Sequence, residues 1–152
     1  MRVVLQRVRE AEVTVGGASV GRIGRGLVIL GGLAVHDREE TVRWMARKIA
    51  SLRIFDDGTG AQERSVVEAS AEVLAVSQFT VVADCRKGRR PSYDDAMPAG
   101  KAAGLFEHFV TALRGEVGSV TTGRFGATMH VRLVNDGPLT LVIDSPASPV
   151  AR

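Results

Sequence analysis

Leu27-Val28-Ile29-Leu30 is apolar at every position. Side chains along a strand alternate between faces, so such a run is stable as a strand only where both faces are covered. Val73 to Val76 reads the same way. Two strands of this kind predict a sheet with apolar cover on each side. A chain of 152 residues is long enough to build that as one domain, burying roughly 70% of its unfolded surface.

The neighbouring segments extend the sheet. Arg2 to Val15 alternates, but its parity changes: Val4 and Val8 share one face, while Ala11, Val13 and Val15 share the other. A bulge near Arg9 and Glu10 reconciles the two halves. Gly16-Gly17 is a hairpin signal leading into a strand at Ala18 to Arg22, and Gly24-Arg25-Gly26 turns the chain into Leu27. Asp37 to Arg53 is expected to be a helix, with Asp37 as N-cap, Glu40 completing a capping box, and Val42, Met45, Ile49 and Leu52 as the buried stripe. Asp56-Asp57-Gly58 opens a loop that runs to Arg64. A second helix is expected over Pro98 to Arg114, with Ala102, Phe106, Phe109 and Leu113 inward. Strands are expected at Val73 to Val82, Glu116 to Thr121, Thr128 to Val134 and Leu139 to Ile143. This order predicts an α+β domain over residues 1–145: a mainly antiparallel sheet with two helices packed on one face. Residues 146–152 read as a frayed tail.

Composition narrows the function. Cys85 is the one cysteine, which rules out an intrachain disulfide and points to a reducing compartment. His36, His108 and His130 lie too far apart in sequence for ligand spacing, so neither metal nor cofactor is expected. Arg2, Arg7, Arg9 and Glu10 interrupt any signal-peptide core, and Leu27 to Val35 is too short to span a bilayer. The expectation is a cytoplasmic protein with no membrane partner. The net charge of +3 suits a polyanionic partner without requiring one.

Four stretches could carry chemistry. Ser77-Gln78-Phe79-Thr80 groups two hydroxyls and an amide at the end of an apolar strand. Strand parity puts Ser77 and Thr80 on opposite faces, so a shared site needs a bend between them; alternatively the strand is leaving the core. Arg86-Lys87-Gly88-Arg89-Arg90 places four cations in five residues, a loop suited to phosphate contacts or simply solvated. Gly123-Arg124-Phe125-Gly126-Ala127-Thr128-Met129 presents Phe125 between glycines, as a stacking ring or as the core residue of a bulged hairpin; the hairpin is the plainer reading. Asn135-Asp136-Gly137-Pro138-Leu139-Thr140 reads locally as a hairpin turn between two strands. No Ser-His-Asp set, Cys-His pair, phosphate loop or paired carboxylates stand out, so any catalysis rests on positioning and oriented dipoles.

Taken together and in order, these stretches resemble the bacterial D-aminoacyl-tRNA deacylase family, as do Gln6-Arg7-Val8 and Ala11-Glu12-Val13-Thr14-Val15. Val81 and Leu139 depart mildly, standing where Leu and Val are usual. The resemblance implies a homodimer, with sheets pairing across it, that hydrolyses the ester between a D-amino acid and the 3′-terminal adenosine of tRNA. It also implies action on glycyl-tRNA mischarged on tRNA-Ala. Catalysis falls to Ser77, Gln78, Phe79 and Thr80. Gly137 and Pro138, joined by a cis bond, enter the partner subunit's pocket and exclude an L side chain. Phe125 and Met129 pack near the terminal adenosine, and Arg86, Lys87, Arg89 and Arg90 hold the tRNA backbone. Water attack assisted by the ribose 2′-hydroxyl is favoured over Thr80 as nucleophile, because no base stands near Thr80 in the sequence pattern. The rival from another class is a non-catalytic RNA-binding module using the basic loop.

Overall fold

The computed structural model describes residues 1–146. The expected frayed tail falls almost wholly on 147–152, outside the described residues. The strands are β1 (Arg2–Val15), β2 (Ala18–Ile23), β3 (Gly26–Gly32), β4 (Phe55–Asp56), β5 (Gln62–Arg64), β6 (Glu72–Ser77), β7 (Thr121–Thr122) and β8 (His130–Asp144). The helices are α1 (Glu39–Ser51) and α2 (Ala99–Val117).

β1 organises the sheet. On one side its first half pairs antiparallel with β3 and its second half with β2. On the other side β8 runs antiparallel along nearly its whole length. β3, β6 and β7 then continue in parallel. Both apolar runs occupy the centre, as their patterning requires. Leu27, Ile29, Val73 and Ala75 join the core beneath the two helices. Their alternates, Val28, Leu74 and Val76, join a second core on the opposite face.

The parity change in β1 has its predicted cause. Val3 and Leu5 point to the helix-side core, whereas Val8, Ala11 and Val13 point to the second core. Val8 and Ala11 are three residues apart, which in a regular strand places them on opposite faces. The register against β8 shifts between Val8 and Glu10, and this bulge brings them to one side.

Several boundaries differ from expectation. α1 begins at Glu39, because Asp37 is engaged elsewhere: its carboxylate accepts from the Met1 amine at 2.5 Å and the Ala34 N–H at 2.7 Å. Thr41, not Glu40, receives the Arg38 N–H, at 3.2 Å. α2 runs on through the segment read as a strand from Glu116 and stops at Gly118, whose φ of +87° suits a residue without Cβ. The expected loop after Asp56 contains the small β4–β5 hairpin. β6 ends at Ser77 rather than Val82. The largest correction concerns the last two strands. They are one strand, β8, and Asp136-Gly137 is no hairpin turn.

Candidate active site

The chain bends where a shared site needed it to. β6 pairs with β3 as far as Gly31 and Ser77, and the Gln78 N–H donates to the Gly31 carbonyl at 2.8 Å. Gln78 then leaves the strand at φ −144°, ψ 84°, and residues Phe79–Val82 coil into a single 3-10 turn. The first amides of any helical turn lack partners within it. Here the N–H groups of Phe79 and Thr80 meet no acceptor among the described residues. Two backbone donors, adjacent and unspent, are what a developing oxyanion needs. The Gln78 amide donates to the Thr80 hydroxyl at 2.5 Å. Among the described residues no imidazole or carboxylate hydrogen-bonds that hydroxyl, so nothing there activates it as a nucleophile.

Ser77, Gln78 and Phe79 form one wall of a cavity of about 550 Å³, and Phe125 to Met129 form the facing wall. Thr80 does not line it; its hydroxyl meets the Gln78 amide. The segment from Gly123 to Met129 is a loop, not the bulged hairpin expected, and strand geometry resumes only at His130. Gly123 lets the Met129 sulfur pack close, since a Cβ there would lie 2.7 Å from it and push that side chain aside. Phe125 is 38% exposed, with its ring 6.4 Å from that of Phe106. It sits at the surface of the helix-side core, not inside it. Leu33, Met97, Ala99 and Ala102 complete the cavity. Of these, sequence reasoning identified only Ala102, and only as a helix-face residue.

A larger cleft of about 720 Å³ lies beyond the 3-10 turn, lined by Val82, Ala83 and a ring of charges. Those charges are largely matched already: Arg2 with Asp144 at 2.7 Å, Arg86 with Asp84 at 2.7 Å, and Asp37 with the Met1 amine. The smaller cavity holds the polar strand end beside the unspent donors, and it is the better candidate.

The basic loop is closed at its base, where Asp84 and Ser92 exchange backbone hydrogen bonds at 2.9 Å each. Arg86 folds back and grips Asp84 with two nitrogens, at 2.9 and 2.7 Å. That grip holds the Asp84 carboxyl down at about 2 and raises the guanidinium. Arg86 is thus paired with the loop's own stem, with its side chain still exposed. Lys87, Arg89 and Arg90 are exposed and carry no ion pair among the described residues.

Gly137 and Pro138 sit in the irregularity of β8, where pairing with β1 passes from Gln6–Thr140 to Val8–Asn135. Their peptide bond is cis and both residues are exposed, with Leu139 buried beside them. The bulge is held from both sides. The Asn135 amide donates to the carbonyls of Arg7 (2.9 Å) and Leu139 (3.1 Å). The Asp136 carboxylate forms ion pairs with Arg7 Nε at 3.0 Å, out of line for a hydrogen bond, and with Arg9 Nε at 3.6 Å. Arg7 is itself buried and also donates to the Ile54 carbonyl at 2.5 Å. Sequence reasoning missed this brace, although the signal was present: Arg7 continues the inward parity of Val3 and Leu5. Within one chain the Gly-Pro pair does not line the cavity.

Comparison with known proteins decides the family. Residues 4–144 match the family described as D-Tyr-tRNA(Tyr) deacylase. The chain belongs to that family. It is 50% identical to the D-aminoacyl-tRNA deacylase of Chlorobaculum parvum over 147 residues, covering 96% of this chain and 99% of the relative. It is 53% identical to that of Desulfitobacterium hafniense over 145 residues, covering 95% and 97%. Among solved structures it resembles a c-Myc DNA unwinding element binding protein, with a TM-score of 0.91, 41% identity, and coverage of 97% and 100%. A probable eukaryotic D-amino acid tRNA deacylase shares the fold, with a TM-score of 0.82 at 20% identity over 93% and 97%. Membership makes this chain an enzyme, a hydrolase of the D-aminoacyl-tRNA deacylase class, with the α+β fold its patterning predicted. Among the described residues no helix is long and apolar enough to cross a membrane.

Proposed function

We propose that the chain removes D-amino acids from tRNA by hydrolysing the ester to the 3′-terminal adenosine, and that it does so as a homodimer. The observation that carries this reading is the pair of unspent N–H groups, Phe79 and Thr80, behind a cavity wall of Ser77, Gln78 and Phe79. Water adds to the ester carbonyl, and the resulting oxyanion is received by those two donors, with the Ser77 hydroxyl and Gln78 amide nearby. The ribose 2′-hydroxyl of the substrate orients the water, takes a proton from it, and passes its own to the departing 3′ oxygen. Removing one such donor in other enzymes costs about 10²–10³ in turnover, so donors of this kind can carry much of the rate. Phe125 and Met129 pack around the adenosine.

Selectivity falls to Gly137 and Pro138 of the partner subunit. Their exposure, on a bulge fixed by Asn135 and Asp136, supports a role as a rigid projection. Entering the cavity, their backbone would hold the substrate amino group and leave no room for an L side chain. This is discrimination by exclusion, and glycine, lacking a side chain, passes the same filter. Glycyl-tRNA mischarged on tRNA-Ala is therefore a second substrate.

Incubation with D-Tyr-tRNA and L-Tyr-tRNA tests the function directly. Release of the D-amino acid alone is expected, and binding of both without release would favour an RNA-binding module instead. Thr80→Ala separates the mechanisms. Because its N–H remains, turnover should stay within about tenfold of wild type, below the roughly 10²–10⁴ that a general acid or base contributes. Loss of nearly all turnover with intact binding would establish Thr80 as the nucleophile. Neutralising Lys87, Arg89 and Arg90 together should raise KM with little change in kcat. It should also flatten the dependence of log KM on log salt by about 2, roughly 0.7 for each single-strand phosphate that is no longer neutralised. An unchanged slope would remove the loop from the tRNA interface.

A further inference from the structure

Phe79 and Tyr93 stand outside both cores. Phe79 is 54% exposed and Tyr93 41%, with ring centroids 5.2 Å apart at an interplanar angle of 66°. An edge-to-face pair shields one ring edge and leaves aromatic face open to solvent, an arrangement a soluble protein does not favour without a partner. The position of the pair identifies the partner. Phe79 lines the candidate active-site cavity. Tyr93 directly follows Ser92, the residue that closes the base of the cationic loop. The two rings thus lie between the cavity and the loop of exposed cations, and Arg90 is at most roughly 10 Å of chain from Tyr93.

Tyr93 is also held in place. Its carbonyl accepts from the Ala96 N–H at 2.9 Å, and Ser92 before it is pinned to Asp84 by two backbone bonds. A fixed aromatic beside exposed cations is the combination that recognises unpaired RNA: the ring stacks on a base of any identity, and the cations meet the phosphates. Resting on the deacylase reading above, we infer that Tyr93, edge-on to Phe79, is a stacking platform for the base immediately 5′ of the terminal adenosine. The phosphates of that single-stranded end then run toward Lys87, Arg89 and Arg90. Tyr93 binds the leaving polynucleotide and takes no part in ester cleavage.

Two substrates separate this role from a structural one: D-tyrosyl-tRNA, and the same amino acid esterified to adenosine alone. Tyr93→Ala should lower kcat/KM on the tRNA ester about tenfold or more, through KM, in line with the loss of one base–aromatic stack. Hydrolysis of the adenosine ester should change less than about twofold, by the same argument, because that substrate has no base to stack. Tyr93→Phe keeps the ring and should match wild type on both. Equal losses on the two substrates would show that Tyr93 only props Phe79, and no loss on the tRNA ester would also overturn the inference. A wild-type protein that cleaves neither substrate overturns the deacylase reading, and this inference with it.

Discussion

Gly32→Ala should cost about 10²-fold in turnover while leaving the protein folded, the loss expected when a catalytic group is displaced by about an ångström. A Cβ at position 32 would lie 2.6 Å from Val81 Cγ2, 2.9 Å from the Gln78 carbonyl and 3.1 Å from Val82 Cγ1. The valine methyls can rotate, but the carbonyl moves only if the 3-10 turn moves with it. That turn carries the N–H groups of Phe79 and Thr80, and oxyanion donors are sensitive to small displacements. Measuring kcat alongside a thermal melt checks this. A variant with wild-type kcat would mean that the turn is not the catalytic element.

The second large effect concerns the brace beneath Gly137. Asp136→Ala leaves the buried Arg7 guanidinium facing no carboxylate, and breaking a buried pair from one side typically costs about 3–5 kcal/mol. The Asp136 side chain is partly exposed, so we expect the lower end, about 3 kcal/mol, equivalent to roughly 6–12 °C in Tm for a domain of this size. Discrimination against L-Tyr-tRNA should weaken in the same variant, because the bulge loses one of its two anchors. Adding Arg7→Leu should recover part of the stability, since the orphaned charge is then gone. Wild-type Tm in Asp136→Ala would show that the pair contributes nothing.

What was legible in the sequence followed from periodicity. Leu27 to Leu30 and Val73 to Val76 found the central strands, and the parity change across Arg9 and Glu10 found a bulge, because core faces impose a period of two. Where a tertiary partner overrode a local rule, the local rule misled. Asp37 has the chemistry of an N-cap, but the Met1 amine and the Ala34 N–H claimed its carboxylate. Asp136-Gly137 has the composition of a turn, yet β1 pairs on both sides of it and keeps β8 whole. Glu116 to Thr121 carried a stop signal, Gly118, that marks a helix end as readily as a strand connection.

The candidate site divides the same way. Ser77 to Phe79, Phe125 and Met129 line one cavity. The walls supplied by Leu33 and Met97 were invisible, since they come from segments joined only in the fold: the Met97 N–H bonds to the Leu33 carbonyl at 2.9 Å. Arg86 stood among the cations in sequence, and its pairing with Asp84, two residues away, was not read there.

The pairing of β8 with β1 sets the order of folding. Arg2 and Asp144, opposite each other and bonded through their side chains, are 142 positions apart in sequence. Loop closure on that scale comes before any reward from the pairing, and topologies of high contact order fold slowly. One edge of β1 stays unpaired until β8 arrives. Until then it is an open template for pairing with other chains. A slow closing step that leaves one sheet edge open is the kinetic counterpart of pairing β1 with so distant a strand.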